Sequence, residues 1–157
     1  MYNVGDKIVY PTHGAGIIDE IISREVRGEE RDYYVMYTHS GNIKLMIPAE
    51  KCDEIGVRPV IDEEQIENVL DVLRDESTVM SSNWNRRYRA NMDKLKTGDI
   101  FQVAEVTRNL YRIEQEKKLS NGEKKMLASA LDIMESEFML VKNITDEEAE
   151  KMICEVI

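Results

Sequence analysis

Histidine, cysteine and basic charge are all scarce in this sequence, and each scarcity excludes something. The 157 residues include only two histidines, His13 and His39, and two cysteines, Cys52 and Cys154. The cysteines lie far apart without CxxC or Cys/His spacing, so they read as free thiols of a reducing compartment, with no disulfide, metal or cofactor expected. Serine, aspartate and glutamate form no nucleophile motif. His39, Cys52 and Asp53 could make a Cys/His pair, but His39 reads as a turn residue beside Ser40-Gly41 and Cys52 as a small packed side chain; no enzyme activity is expected. THGAG follows a strand but leads into another strand, so a glycine-rich phosphate loop opening a helix is missing. No apolar run approaches the ~20 residues needed to cross a membrane. MYNVGDKIVY has no basic start, apolar stretch or small-residue cleavage site, so a cytoplasmic protein is expected. Lysine and arginine number 21 against 31 acidic residues, a formal net charge of −10. That balance argues against coating nucleic acid by bulk charge.

The charge is unevenly spread. Residues 81–130 hold eleven basic and six acidic residues, net +5, while the flanking stretches 61–80 and 131–157 each sum to −6 and residues 1–60 to −3. A basic block of this kind is what a localised nucleic-acid contact needs. Its densest part is SNWNRRYRANMDKLK, in which the only tryptophan, Trp84, is followed by Arg86, Arg87 and Arg89.

Two periods divide the chain. Up to about residue 60 the apolar positions alternate: KIVYP, AGIIDEII, then RDYYVMYT, where Tyr33, Val35 and Tyr37 alternate with Tyr34, Met36 and Thr38. IKLMIP follows a predicted turn at Ser40-Gly41-Asn42, with Ile43, Leu45 and Ile47 on one face and Lys44 and Met46 on the other. A last short strand is predicted within Val57 to Val60. Four or five short strands with tight glycine-containing turns predict a small barrel of the SH3 or Tudor kind. From Ile61 the period becomes helical. Asp62 with Gln65, Ser120 with Glu123 and Thr145 with Glu148 read as capping boxes, and Ile61 with Ile66 as a hydrophobic staple. Ile66, Val69, Leu70 and Leu73 mark one buried stripe; Leu127, Leu131, Met134 and Phe138 mark another. The fold class is therefore α+β in two domains, a β-barrel at 1–60 and an all-α domain of four or five helices at 61–157.

Two surfaces compete for function, the arginine and tryptophan cluster and the IKLMIP strand. Trp84, Tyr88 and Leu95 fall roughly on one side of a helix, so Trp84 reads either as core or as an exposed aromatic at a helix start. Arg86, Arg87 and Arg89 span more than half a turn, too wide for one local salt bridge, and read as a phosphate-binding patch. Lys44 and Met46, pointing away from the barrel interior, belong either to a solvated edge strand or to one that a partner extends.

VGDKIVYPTHGAGIIDEI, MIPAEKCDEIGVRPV, NWNRRYRANMDKLKTGD, VAEVTRNLYR and LSNGEKKML stand in the order seen in the CarD/CdnL family of bacterial transcription regulators, which the chain resembles over almost its whole length. The first stretch also resembles the polymerase-interacting domain of transcription-repair coupling factor; the pairing with NWNRRY and LSNGEKKML selects CarD/CdnL. The resemblance implies a Tudor-like domain that binds the β-subunit lobe of RNA polymerase, and a helical domain that meets promoter DNA at the upstream edge of the transcription bubble. It implies that Trp84 acts as a minor-groove wedge, that Arg86, Arg87 and Arg89 are its basic neighbours, and that Arg24 contacts polymerase together with the Ile43, Lys44 and Met46 strand. Where well-known members carry arginine inside that strand, Met46 stands here, and a charge contact is absent. A monomer stabilising the promoter open complex is expected. A polymerase-binding adaptor without DNA contact and a ribosome-associated SH3-like factor are the competing readings.

Overall fold

The alternating first third folds as an antiparallel sheet. In the computed structural model, which describes residues 1–39 and 43–157, the strands are β1 (Lys7–Tyr10), β2 (Gly14–Val26), β3 (Glu29–Thr38), β4 (Lys44–Pro48) and β5 (Arg58–Pro59). Their order is β4-β3-β2-β1-β5, all neighbours antiparallel. Ile8, Ile18, Tyr34, Met36 and Ile47 fill the interior with Cys52 and Val57. The predicted turn at Ser40-Gly41-Asn42 lies outside the described residues. Arg27 and Gly28, with φ of 53° and 80°, form the two-residue turn between β2 and β3; two positive φ values mark a type I′ turn, whose twist matches the strands it joins. A bulge at Asp19 shifts the β2–β3 register between Ile18 and Glu20. Gly16 has no alternative in β2, because a Cβ there would collide with the Tyr37 carbonyl oxygen.

Burial along that face stops short of its first residue. Ile43 keeps the parity of Leu45 and Ile47, but it precedes β4 and is 47% exposed, whereas Ile47 is fully buried. The core ends at the level of Leu45, so the strand leaves its footprint before Ile43.

A 3-10 turn (Ala49–Lys51) and the short helix α1 (Cys52–Ile55) carry the chain under the sheet to β5. Five helices follow: α2 (Glu63–Arg74), α3 (Trp84–Lys96), α4 (Ile100–Glu116), α5 (Asn121–Lys142) and α6 (Asp146–Cys154). Each begins on a polar side chain that accepts a backbone N–H of the first turn: Asp62, Asn83, Asp99, Ser120 and Thr145. Such caps satisfy donors that the helix itself leaves open. The α2 stripe of Ile66, Val69, Leu70 and Leu73 joins Val103, Leu110, Met134 and Phe138 in the helical core. Tudor-like sheet and helical array thus make an α+β architecture.

The two parts share a packed boundary. Val9, Ala15 and Leu140 form a small buried cluster between them, flanked by Val60. Around it, the Ala15 N–H donates to Ser136 Oγ (2.9 Å) and Lys7 Nζ to the Leu140 carbonyl (3.0 Å). Arg58 makes a bidentate pair with the fully buried Glu137, both bonds 2.7 Å, while its Nε reaches the Gly98 carbonyl at 2.8 Å. The Ile61 N–H also donates to Glu137 (2.8 Å).

Candidate functional site

Trp84 is the first residue of α3, and its position follows from the cap before it. Asn83 accepts the Arg86 N–H at 3.1 Å, which sets Trp84 at the mouth of the helix. The indole is neither core nor free. It is 41% exposed and stacked on Tyr88 one turn later, centroids 4.9 Å apart at 19°. Its Nε1 donates to Ser120 Oγ at 2.9 Å. Gly122, in the first turn of α5, leaves the room it needs: a Cβ there would stand 3.3 Å from Trp84 Cζ2 and 3.5 Å from Tyr88 Cε2. Beside the indole a groove of about 520 Å³ runs between the Met80–Ser82 segment and Lys117, Lys118 and Leu119.

The three arginines diverge. Arg86 and Arg89 are exposed and, among the described residues, their guanidinium groups make no hydrogen bond or ion pair. Arg87 turns inward instead. Its Nε and Nη2 donate to Glu123 at 2.8 and 3.2 Å, and its Nη1 to the Ser81 and Ser82 carbonyls at 3.1 and 3.4 Å. Glu123 is 3% exposed; a buried carboxylate needs such a partner. The Arg87 hydrogen bonds hold its carboxyl below the usual pKa in spite of burial, and Ser120 and Trp84 add to the effect. One guanidinium therefore ties the segment before α3 to the start of α5. Sequence reasoning missed this pairing, since nothing in the spacing of residues 36 apart signals it.

The segment between α2 and α3 is further held by two arginines that sequence reasoning passed over. Arg108, 3% exposed, donates to the Val72 carbonyl and Thr78 Oγ1, each at 2.8 Å. Arg112 reaches Ser77 Oγ and the Leu73 carbonyl at 2.9 and 3.1 Å. Arginines serve well here because a guanidinium can cap several carbonyls left open at a helix C-terminus.

In the sheet, β4 is the last strand. The Thr38 N–H donates to the Ile43 carbonyl (3.0 Å), and pairing continues as Tyr37↔Lys44, Met36↔Leu45 and Val35↔Met46. Hydrogen-bonded pairs alternate along an antiparallel ladder. Ile43, Leu45 and Ile47 therefore direct their backbone groups at β3, while those of Lys44 and Met46 face the open edge. Pro48, next in that alternation, has no N–H to offer there. Lys44 and Met46 share the sheet's outer face with Tyr37 and Ile17, all four exposed. Arg24 lies on this face too, opposite Arg31; it is exposed and unpaired among the described residues.

Two family models divide the chain between them. Residues 2–61 match the CarD-like/TRCF RID domain and residues 68–154 match the CarD C-terminal domain. The chain belongs to the CarD family. A CarD-family relative from Bacillus subtilis (strain 168), the candidate transcription factor YdeB, is 39% identical over 148 residues, covering 94% of this chain and 97% of its own. The solution NMR structure of the 72-residue N-terminal domain of Myxococcus xanthus CarD is 32% identical, covering 38% of this chain and 79% of that one, with a TM-score of 0.33. CarD membership makes the protein a transcription regulator whose N-terminal domain is of the RNA polymerase-interacting type. None of its described helices is long and apolar enough to cross a membrane. Cys52, the conceivable nucleophile, is buried in the sheet's core with Sγ 3.8 Å from the Pro48 carbonyl, and burial pushes its thiol pKa up.

Proposed function

We propose that this CarD-family protein binds the β-subunit lobe of RNA polymerase through β4 and the outer sheet face, and stabilises the promoter open complex through Trp84 at the upstream edge of the bubble. The observation that carries the DNA half is the posture of Trp84: a partly exposed indole, immobilised on two sides, on a helix whose Arg86 and Arg89 guanidiniums have no partner among the described residues. Opening a promoter requires unstacking a base step at a few kcal/mol. An indole placed at the fork occupies the opened minor groove and prefers the open form over the closed one. It shifts the equilibrium only by that preference. Arg86 and Arg89 would take the flanking phosphates, which set position without reading sequence. Arg87 would serve from behind, holding the frame.

The polymerase half rests on the open edge of β4. A strand added there meets the outward backbone groups of Lys44 and Met46, with the Arg24, Lys44 and Met46 side chains on the adjoining face. Met46 offers polarizable apolar contact where a charge is absent. Polymerase then supplies the local concentration that weak DNA contacts need.

The deciding experiment is open-complex lifetime on a weakly melting promoter, with and without the protein. A lengthened lifetime that disappears in Trp84→Ala supports the proposal. Full lengthening by Trp84→Ala would leave only the polymerase-binding adaptor.

A further inference from the structure

We propose that the Ser120 hydroxyl is a positioning residue for Trp84, orienting the indole from the neighbouring helix. The inference rests on the wedge reading for its use, but its geometry stands apart from it.

The hydroxyl is saturated in a way that fixes its direction. Ser120 Oγ has one proton and two lone pairs. It lies 3.1 Å from Glu123 Oε1, 3.3 Å from the Glu123 N–H and 2.9 Å from Trp84 Nε1. Ionised Glu123 only accepts, and Trp84 Nε1 and the backbone N–H only donate, so the hydroxyl proton must go to Glu123. Both lone pairs are then left for the two N–H donors. The carboxylate that directs this proton is itself held by Arg87, at 2.8 and 3.2 Å. A chain of four groups, Arg87 to Glu123 to Ser120 to Trp84, thus ends on the indole. Tyr88 supports one face of the ring and Gly122 admits its benzo edge. Stacking alone would let the ring slide or flip over Tyr88. The Nε1 bond selects one orientation.

Ser120 also caps α5, so a loss on substitution has two possible origins, and the test must separate them. The variants are Ser120→Ala, Ser120→Thr, Trp84→Phe and Trp84→Phe with Ser120→Ala, all in the full chain. Phenylalanine keeps an aromatic ring but has no N–H for Ser120 to hold. The chain has one tryptophan, so a ¹⁵N spectrum carries one indole N–H resonance. Ser120→Ala should shift that resonance and speed its exchange with solvent, and Ser120→Thr should restore both. With polymerase on a weakly melting promoter, Ser120→Ala should shorten open-complex lifetime by roughly two- to tenfold, the range of one lost hydrogen bond. In the Trp84→Phe background the same change should do nothing further. An unchanged indole resonance in Ser120→Ala overturns the proposal. So do equal lifetime losses in both backgrounds, which would assign the effect to the cap. If Trp84→Ala itself leaves the lifetime unaltered, the wedge reading fails, and the indole resonance still decides whether Ser120 orients the ring.

Discussion

Trp84 sits between two ordinary fates of a tryptophan, and its environment sets what truncation should cost. A fully packed tryptophan loses about 3–5 kcal/mol on truncation to alanine. Here the side chain keeps 41% of its surface exposed, and truncation removes one stacked pair and one hydrogen bond, together about 1–3 kcal/mol, besides the burial of part of the ring. Trp84→Ala should therefore lower the melting temperature modestly while leaving polymerase pull-down intact. At the fork the loss should be larger in its consequence. Stacking of an aromatic on a base is worth about 1–3 kcal/mol, which corresponds to about a five- to 150-fold change in the open/closed ratio. A steep fall in melting temperature without a lifetime defect would return Trp84 to the core.

Among the elements, β4 allows a test by backbone chemistry alone. The Met46 N–H faces the open edge, whereas that of Leu45 faces β3. Met46→Pro should leave the β3 ladder intact and weaken polymerase binding in a pull-down, because an edge strand tolerates proline only where its N–H faces outward. Leu45→Pro should instead break the ladder and lower the melting temperature. Undiminished pull-down by folded Met46→Pro would exclude strand addition at this edge. The α5–α6 contact makes a different forecast. Burial, with Glu150, Asp132 and Asp146 adding negative charge, pushes the Glu135 pKa up to about 7 from its ordinary value of 4.5. The folded state then holds a proton that the unfolded state has released, so stability falls as pH rises from about 4.5 to about 7. Chemical denaturation across this window should show the decline, and Glu135→Gln should flatten it. An equal slope in both proteins would show that Glu135 is not its source.

At the scale of the molecule, the boundary between sheet and helices links the two proposed surfaces. Arg58→Ala would leave the fully buried Glu137 carboxylate with the Ile61 N–H as its remaining donor. Removing one partner of a buried pair costs about 3–5 kcal/mol, and because the Arg58 side chain is 25% exposed about 3 kcal/mol is expected, read as a clear drop in melting temperature. Below that temperature the variant should still bind polymerase, since β4 lies at the opposite end of the sheet from β5. Its effect on open-complex lifetime should shrink, because Trp84 is no longer held at a set distance from the polymerase contact. A normal lifetime would mean that the boundary contributes stability alone. Net charge predicts a further property. With −10 overall and about two or three phosphate contacts, affinity for free duplex should be weak and salt-sensitive. A gel shift showing tight binding to linear DNA at physiological salt would identify a stand-alone DNA-binding protein instead.

Local features were legible in the sequence. The alternation of Tyr33 to Thr38 is a strand because backbone pleating has period two, and Asp62, Ser120 and Thr145 cap helices because their oxygens meet open N–H groups within three residues. The arginine and tryptophan cluster was visible as composition, and the family by the order of its segments. The tertiary structure decided how that cluster is arranged. It turned Arg87 to Glu123 and left Arg86 and Arg89 open, placed Ser120 against Trp84 across 36 positions, and joined Arg58 to Glu137 across 79. These contacts have no periodicity to betray them. A charged residue in isolation is most stable in water, so a linear reading assigns it to the surface. Only when two helices or a strand and a helix close on each other does a carboxylate lose its water and require a specific guanidinium. That requirement exists in the fold and not in the chain.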